Sequence, residues 1–110
     1  MPPEAAPVRI ALTTVSSLEE GRRMARLLVE RRLAACVNLV PNLTSVYRWH
    51  EAIEEAAEVL LLMKTTAEKL PALEAAVREL HSYELPEFLV LDIESGSQPY
   101  LDWLRSSVNR

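Results

Sequence analysis

The chain has 110 residues, 49% of them hydrophobic, a formal net charge of -4 and one cysteine. That length suits one domain with its own core, and the apolar content excludes a disordered chain. The positive residues are scattered, with Arg22, Arg23 and Arg26 on one segment and Arg31 and Arg32 at its end, which argues against a nucleic-acid partner, and the lone Cys36 excludes an intrachain disulfide.

No apolar run is long enough to span a bilayer, and the opening MPPEAAPVR lacks the apolar core of a signal peptide. The expectation is therefore a cytoplasmic protein with no membrane partner, a single domain over 1–110 with residues 1–7 flexible.

Val8 to Val15 is short, apolar and β-branched, and predicts a first strand. Ser17-Leu-Glu-Glu20 has the form of a capping box, so a helix should follow, with Leu18, Gly21, Ala25 and Leu28 on its core-facing stripe. Leu33 to Trp49 then reads as a long strand. Beyond Pro41, Leu43, Ser45, Tyr47 and Trp49 alternate with Thr44, Val46 and Arg48. Fully extended, it would run roughly 50 Å at about 3.3 Å per residue, against a radius of gyration of about 13 Å for a compact domain of this size. Pro41 should break or bulge it, and its far half should project and be covered by another chain.

Glu51 to Met63 carries two signals. Ala52, Ile53, Ala56, Ala57, Leu60 and Leu61 recur at helical spacing, while Val59 to Met63 is continuous and apolar like a buried strand. Thr65-Thr-Ala-Glu68 has the form of a second capping box, opening a helix lined by Leu70, Leu73, Val77 and Leu80, with Pro71 in its first turn. Leu85 to Glu94 alternates as a half-buried strand. Ser97 as cap and Pro99 open a last helix carrying Tyr100, Trp103 and Leu104 on one face.

Five motifs in order, Leu33-Ala-Ala-Cys-Val-Asn38, Ser45-x-Tyr47-x-Trp49, Glu58 followed by Lys64-Thr65, His81-x-Tyr83-Glu84-x-Pro86-Glu87 and Tyr100-Leu-x-Trp103, resemble the divalent-cation tolerance protein family, CutA, over nearly the whole chain. The resemblance implies an α+β, ferredoxin-like βαββαβ subunit with a C-terminal helix and a long hairpin between the second and third strands. It makes the second half of Glu51–Met63 a strand. It further implies a homotrimer similar to the PII-type signalling proteins, with a role in tolerance of copper and other divalent cations. Two positions depart from the family: Glu51 stands where a glycine is usual, which strains a hairpin tip, and Ser82 stands where a proline is usual, which should loosen the approach to Tyr83.

For metal, the candidate ligands are His81 at a helix end, Glu84 beside it and Cys36, the softest donor. The plainer readings are a capping or surface histidine and a small core hydrophobe in a buried strand. Copper or another divalent cation would bind weakly, centred on an exposed His81, and would not be required for folding. For a small-molecule or anion site between subunits, the candidates are Tyr47, Trp49, Lys64, Tyr83 and Glu87. The plainer use of Tyr47 and Trp49 is packing against a neighbouring subunit. A catalytic Cys–His pair lacks a third orienting group and a glycine-rich oxyanion turn, so the chain does not read as an enzyme. A purely structural assembly module is the remaining alternative.

Overall fold

A computed structural model describes residues 6–109. Its elements follow the order β1 (Val8–Val15), α1 (Leu18–Glu30), β2 (Cys36–Trp49), β3 (Ala52–Thr66), α2 (Leu70–Leu80), β4 (Leu89–Asp92) and α3 (Gln98–Val108). The four strands form one antiparallel sheet in the order β2-β3-β1-β4. This is the split arrangement of ferredoxin-like folds with a helix added. The expectation of a flexible N-terminus falls mainly on residues 1–5, outside the described ones; the Pro7 carbonyl accepts the Ala67 N–H at 2.9 Å.

The α1 start forms half as a capping box. The Ser17 hydroxyl oxygen accepts the Glu20 N–H at 3.1 Å, but the Glu20 carboxylate turns to Ser16 and Ser82 instead of closing back on Ser17. One face of the sheet packs on α1 and α2 through Ala11, Val15, Met24, Leu28, Leu61, Met63, Leu73 and Val77. Burying a Leu, Val or Met side chain of this kind contributes roughly 1.5–3 kcal/mol. Gly21 lets α1 come this close: a Cβ there would meet Leu39 Cδ2 at 3.0 Å. A second cluster, Val8, Ala35, Leu104 and Val108, seats α3.

β2 and β3 make a hairpin of 14- and 15-residue strands that stretches the molecule to 47 Å along its longest axis. The whole of Ala52–Thr66 is strand, so pairing overrides helical composition further than the expected second half. Val40 lies opposite Leu60 and Leu43 opposite Glu58, three steps on β2 against two on β3, so β2 bulges at Pro41 and Asn42 as expected. Asn42 takes φ 65° there, a left-handed conformation that asparagine tolerates. Partners across the ladder share a face. The helix-free face therefore carries Asn38 and Val40 before the bulge, and Leu43, Ser45, Tyr47 and Trp49 after it. His50 and Glu51 close the tip at φ 50° and 68°, the positive pair that a two-residue hairpin loop needs.

Three expectations are corrected. Thr65 caps no helix: it stays in β3 and its hydroxyl donates to the Leu33 carbonyl at 2.8 Å, while a 3-10 turn, Ala67–Lys69, leads into α2. Ser97 holds the N-cap position of α3 without a side-chain bond. β4 is four residues long and exposed rather than a half-buried strand over Leu85–Glu94, because the segment from 81 to 88 is drawn toward Glu20 and Glu58 and pairing begins only at Leu89 opposite Leu12.

The centre of the helix-free face is apolar and half-covered, with Ile10, Leu12, Leu60 and Leu62 flanked by the exposed Val40, Leu89 and Leu91. Among the described residues, no helix is long and apolar enough to cross a membrane.

Candidate functional site

At the projecting end of this face, a cleft of about 670 Å³ opens between the hairpin and the segment that follows α2. Its floor is Thr14 of β1, Ser45, Tyr47 and Trp49 of β2, and Glu54 and Glu58 of β3; Tyr83, Glu84 and Glu87 form its rim. Strand pairing fixes the floor, since Tyr47 stands opposite Glu54 and alternate residues share a face. Four glutamates and no lysine or arginine line the cleft.

The rim is pinned by hydrogen bonds. The His81 imidazole is fully buried; Nε2 donates to the Thr14 carbonyl at 2.8 Å and Nδ1 accepts the Tyr83 N–H at 3.1 Å. An acceptor on one nitrogen and a donor on the other fix the Nε2–H tautomer. Ser82 donates to Glu20 through both its N–H and its hydroxyl, each at 3.1 Å, and the Ser16 hydroxyl donates at 2.9 Å. Burial works to raise the Glu20 carboxyl, but the bonds from Ser82 and Ser16 outweigh it and hold the group below its ordinary value of 4.5. The Tyr83 phenol donates to Glu58 Oε2 at 2.7 Å, a short charge-assisted bond. Burial first, then the Glu58 carboxylate, raise the phenol well above its ordinary value.

Of the residues singled out from sequence, the cleft gathers Tyr47, Trp49, Tyr83, Glu84 and Glu87. Three lie elsewhere or differently. His81 is not the exposed imidazole expected: both ring nitrogens are engaged, and a metal would have to displace Thr14 or the Tyr83 N–H. Lys64 is at the other end of the face, its Nζ 3.3 Å from the Tyr100 hydroxyl and 5.5 Å from that ring's centre. Cys36 pairs with Lys64 on the edge strand, half-buried rather than packed in the core, six residues of β3 away from the Glu58 position. Among the described residues, no group of three His, Cys, Asp or Glu side chains is placed to hold a metal ion. Ser82, expected to loosen the approach to Tyr83, does the reverse, because its N–H and hydroxyl both bond Glu20.

Glu20, Glu54 and Glu58 were missed as site residues. Counting back from a two-residue turn at His50-Glu51 pairs Tyr47 with Glu54, so that one was open to inference. Nothing local links Glu20 to Ser82 or Glu58 to Tyr83, which are 62 and 25 residues apart.

A four-stranded split βαβ sheet with helices on one face and an acidic, aromatic cleft on the other defines a small α+β protein built to hold a ligand against its sheet. Residues 9–107 match the family described as CutA1 divalent ion tolerance protein. The chain is 51% identical over 98 residues to the divalent-cation tolerance protein CutA of Thermus thermophilus, covering 89% of this chain and 95% of that one. It is 46% identical over 98 residues to human protein CutA, covering 89% of this chain but only 55% of the human one. The crystal structure of CutA from Xylella fastidiosa superposes with a TM-score of 0.92 at 35% identity, covering 94% of this chain and all of that one. The chain belongs to the CutA1 divalent ion tolerance family.

Proposed function

We propose that this chain serves divalent-cation tolerance in the cytoplasm as a non-catalytic homotrimer that binds its ligand in the Tyr47–Trp49–Tyr83 cleft, and that it associates with copper or other divalent cations only weakly. The observation that carries the reading is the convergence of three aromatic side chains and four carboxylates in one cleft, set against ligand candidates for metal that the fold keeps apart. Metal then meets exposed carboxylates such as Glu84 and Glu87 singly, a weak arrangement for a cation that prefers several oxygens at once.

The trimer is supported by the apolar, half-covered centre of the helix-free face, with Leu89 at 57% and Leu91 at 49% exposure in the single chain. Contiguous apolar surface of this kind marks an association surface. A reducing compartment is supported by the single free thiol.

The test is sedimentation together with ligand and copper titration of the wild type and of Leu62→Glu, which puts a charge in the centre of the apolar face. The expected result is a trimeric wild type with millimolar-range copper affinity and a dissociated variant. A monomeric wild type, or stoichiometric tight copper binding, overturns the proposal.

A further inference from the structure

We propose that the cleft is a receptor for an aliphatic polyamine, a methylene chain carrying two or more protonated amines. This rests on the reading of the cleft as the ligand site and names the class of ligand it takes. The lining decides the sign of the charge: Glu54, Glu58, Glu84 and Glu87 face the space with no basic side chain among them, so an anion is repelled.

The spacing decides the shape. Glu54 and Glu58 lie four residues apart on one face of β3, about 13 Å along the strand. Glu84 and Glu87 stand on the opposite rim. Carboxylates so dispersed do not converge on one small ion, whose oxygen ligands must all lie within about 2.6 Å. They suit positive charges strung along a chain.

The remaining lining fits what lies between those charges. Tyr47 and Trp49 offer rings that attract ammonium groups, and Val46 and Leu85 offer apolar surface for methylenes. Glu58 supplies an independent sign that something cationic belongs here. It is 9% exposed, Oε2 takes the Tyr83 phenol, and among the described residues Oε1 has no hydrogen-bond partner. A carboxylate so nearly buried calls for a countercharge, and the cleft is where one can reach it.

The experiment is calorimetric titration of the full chain in its native oligomeric state, at low salt, with spermidine and with three chains of equal length: hexanediamine, hexanediol and adipate. Spermidine and hexanediamine are expected to bind and the diol and the diacid are not. Glu54→Gln and Glu87→Gln, both exposed and conservative in shape, each weaken spermidine by about tenfold, the loss of one charged contact, while Glu30→Gln on α1 leaves it unchanged. Adipate or hexanediol binding as tightly as the diamine overturns the polyamine assignment and leaves the cleft as a ligand site. Spermidine binding that is indifferent to Glu54→Gln and Glu87→Gln also overturns it, as diffuse attraction to an acidic protein. If none of the four binds, both the assignment and the reading of the cleft fall.

Discussion

Replacing Glu20 with alanine should destabilise the protein by about 2–4 kcal/mol at neutral pH. The carboxylate accepts the Ser82 N–H and hydroxyl at 3.1 Å, the Ser16 hydroxyl at 2.9 Å and the Ser16 N–H at 3.4 Å. Hydrogen bonds to a charged group are worth about 1.5–3 kcal/mol each, but the four are not independent. Both serines are exposed, so their hydroxyls regain water when the carboxylate is removed, and the 3.4 Å contact is the weakest. What remains is chiefly the Ser82 N–H and the anchorage of the segment from 81 to 83. Glu20→Gln keeps the volume but turns an amide against two donors, and should lose about half as much. The sign with pH follows from a folded-state value held below 4.5: the contribution is present above the unfolded value and is lost as pH falls through the folded one. The deficit of the alanine variant should therefore shrink in acid. Urea denaturation at one fixed protomer concentration, from neutral pH downward, measures it. A deficit under about 0.5 kcal/mol, or one that does not change in acid, refutes the account.

Glu51→Gly should stabilise by about 0.5–1 kcal/mol, since a left-handed glutamate at φ 68° is relieved while the unfolded chain gains freedom; a loss of stability by urea titration contradicts it. Thr13 is fully buried on the helix side of β1, and among the described residues its hydroxyl has no partner. Thr13→Val keeps the shape and should raise stability by about 1 kcal/mol, read as a higher urea midpoint with unchanged slope; a lower midpoint shows that the hydroxyl is bonded.

The layered sheet was legible because its signals are local. Alternation, a serine before α1 and a proline in a long strand each act within a few residues, and the structure places them as read. The cleft was half legible for the same reason: Tyr47 and Trp49 share a face by period two alone. His81 was misjudged because its partner is the Thr14 carbonyl, 67 residues earlier, and no pattern along the chain announces a backbone acceptor. Lys64 belongs to the same sheet face as the cleft, but strand length carries it to the α3 end, where Tyr100 takes its ammonium. The second threonine-led box failed because Leu33 competes for the hydroxyl of Thr65. In each case a long-range contact outbids a local motif.

The bulge at Pro41–Asn42 has a mechanical consequence. Leu39 and Val40 are keyed to β3 beside the core, whereas Leu43 to Trp49 are keyed to it by the turn at the tip, and the extra residue sits between the two ladders. Opening can therefore stop there: the outer ladder can fray and close again without disturbing Leu61 or Met63. Local unfolding of this kind proceeds in contiguous units whose free energies differ across one structure. Amide protons of the outer ladder then exchange through a low-energy opening confined to the arm, and those of β1 and inner β3 only when the whole sheet comes apart. The wall of the cleft and the core beneath the helices are held in one strand but released separately.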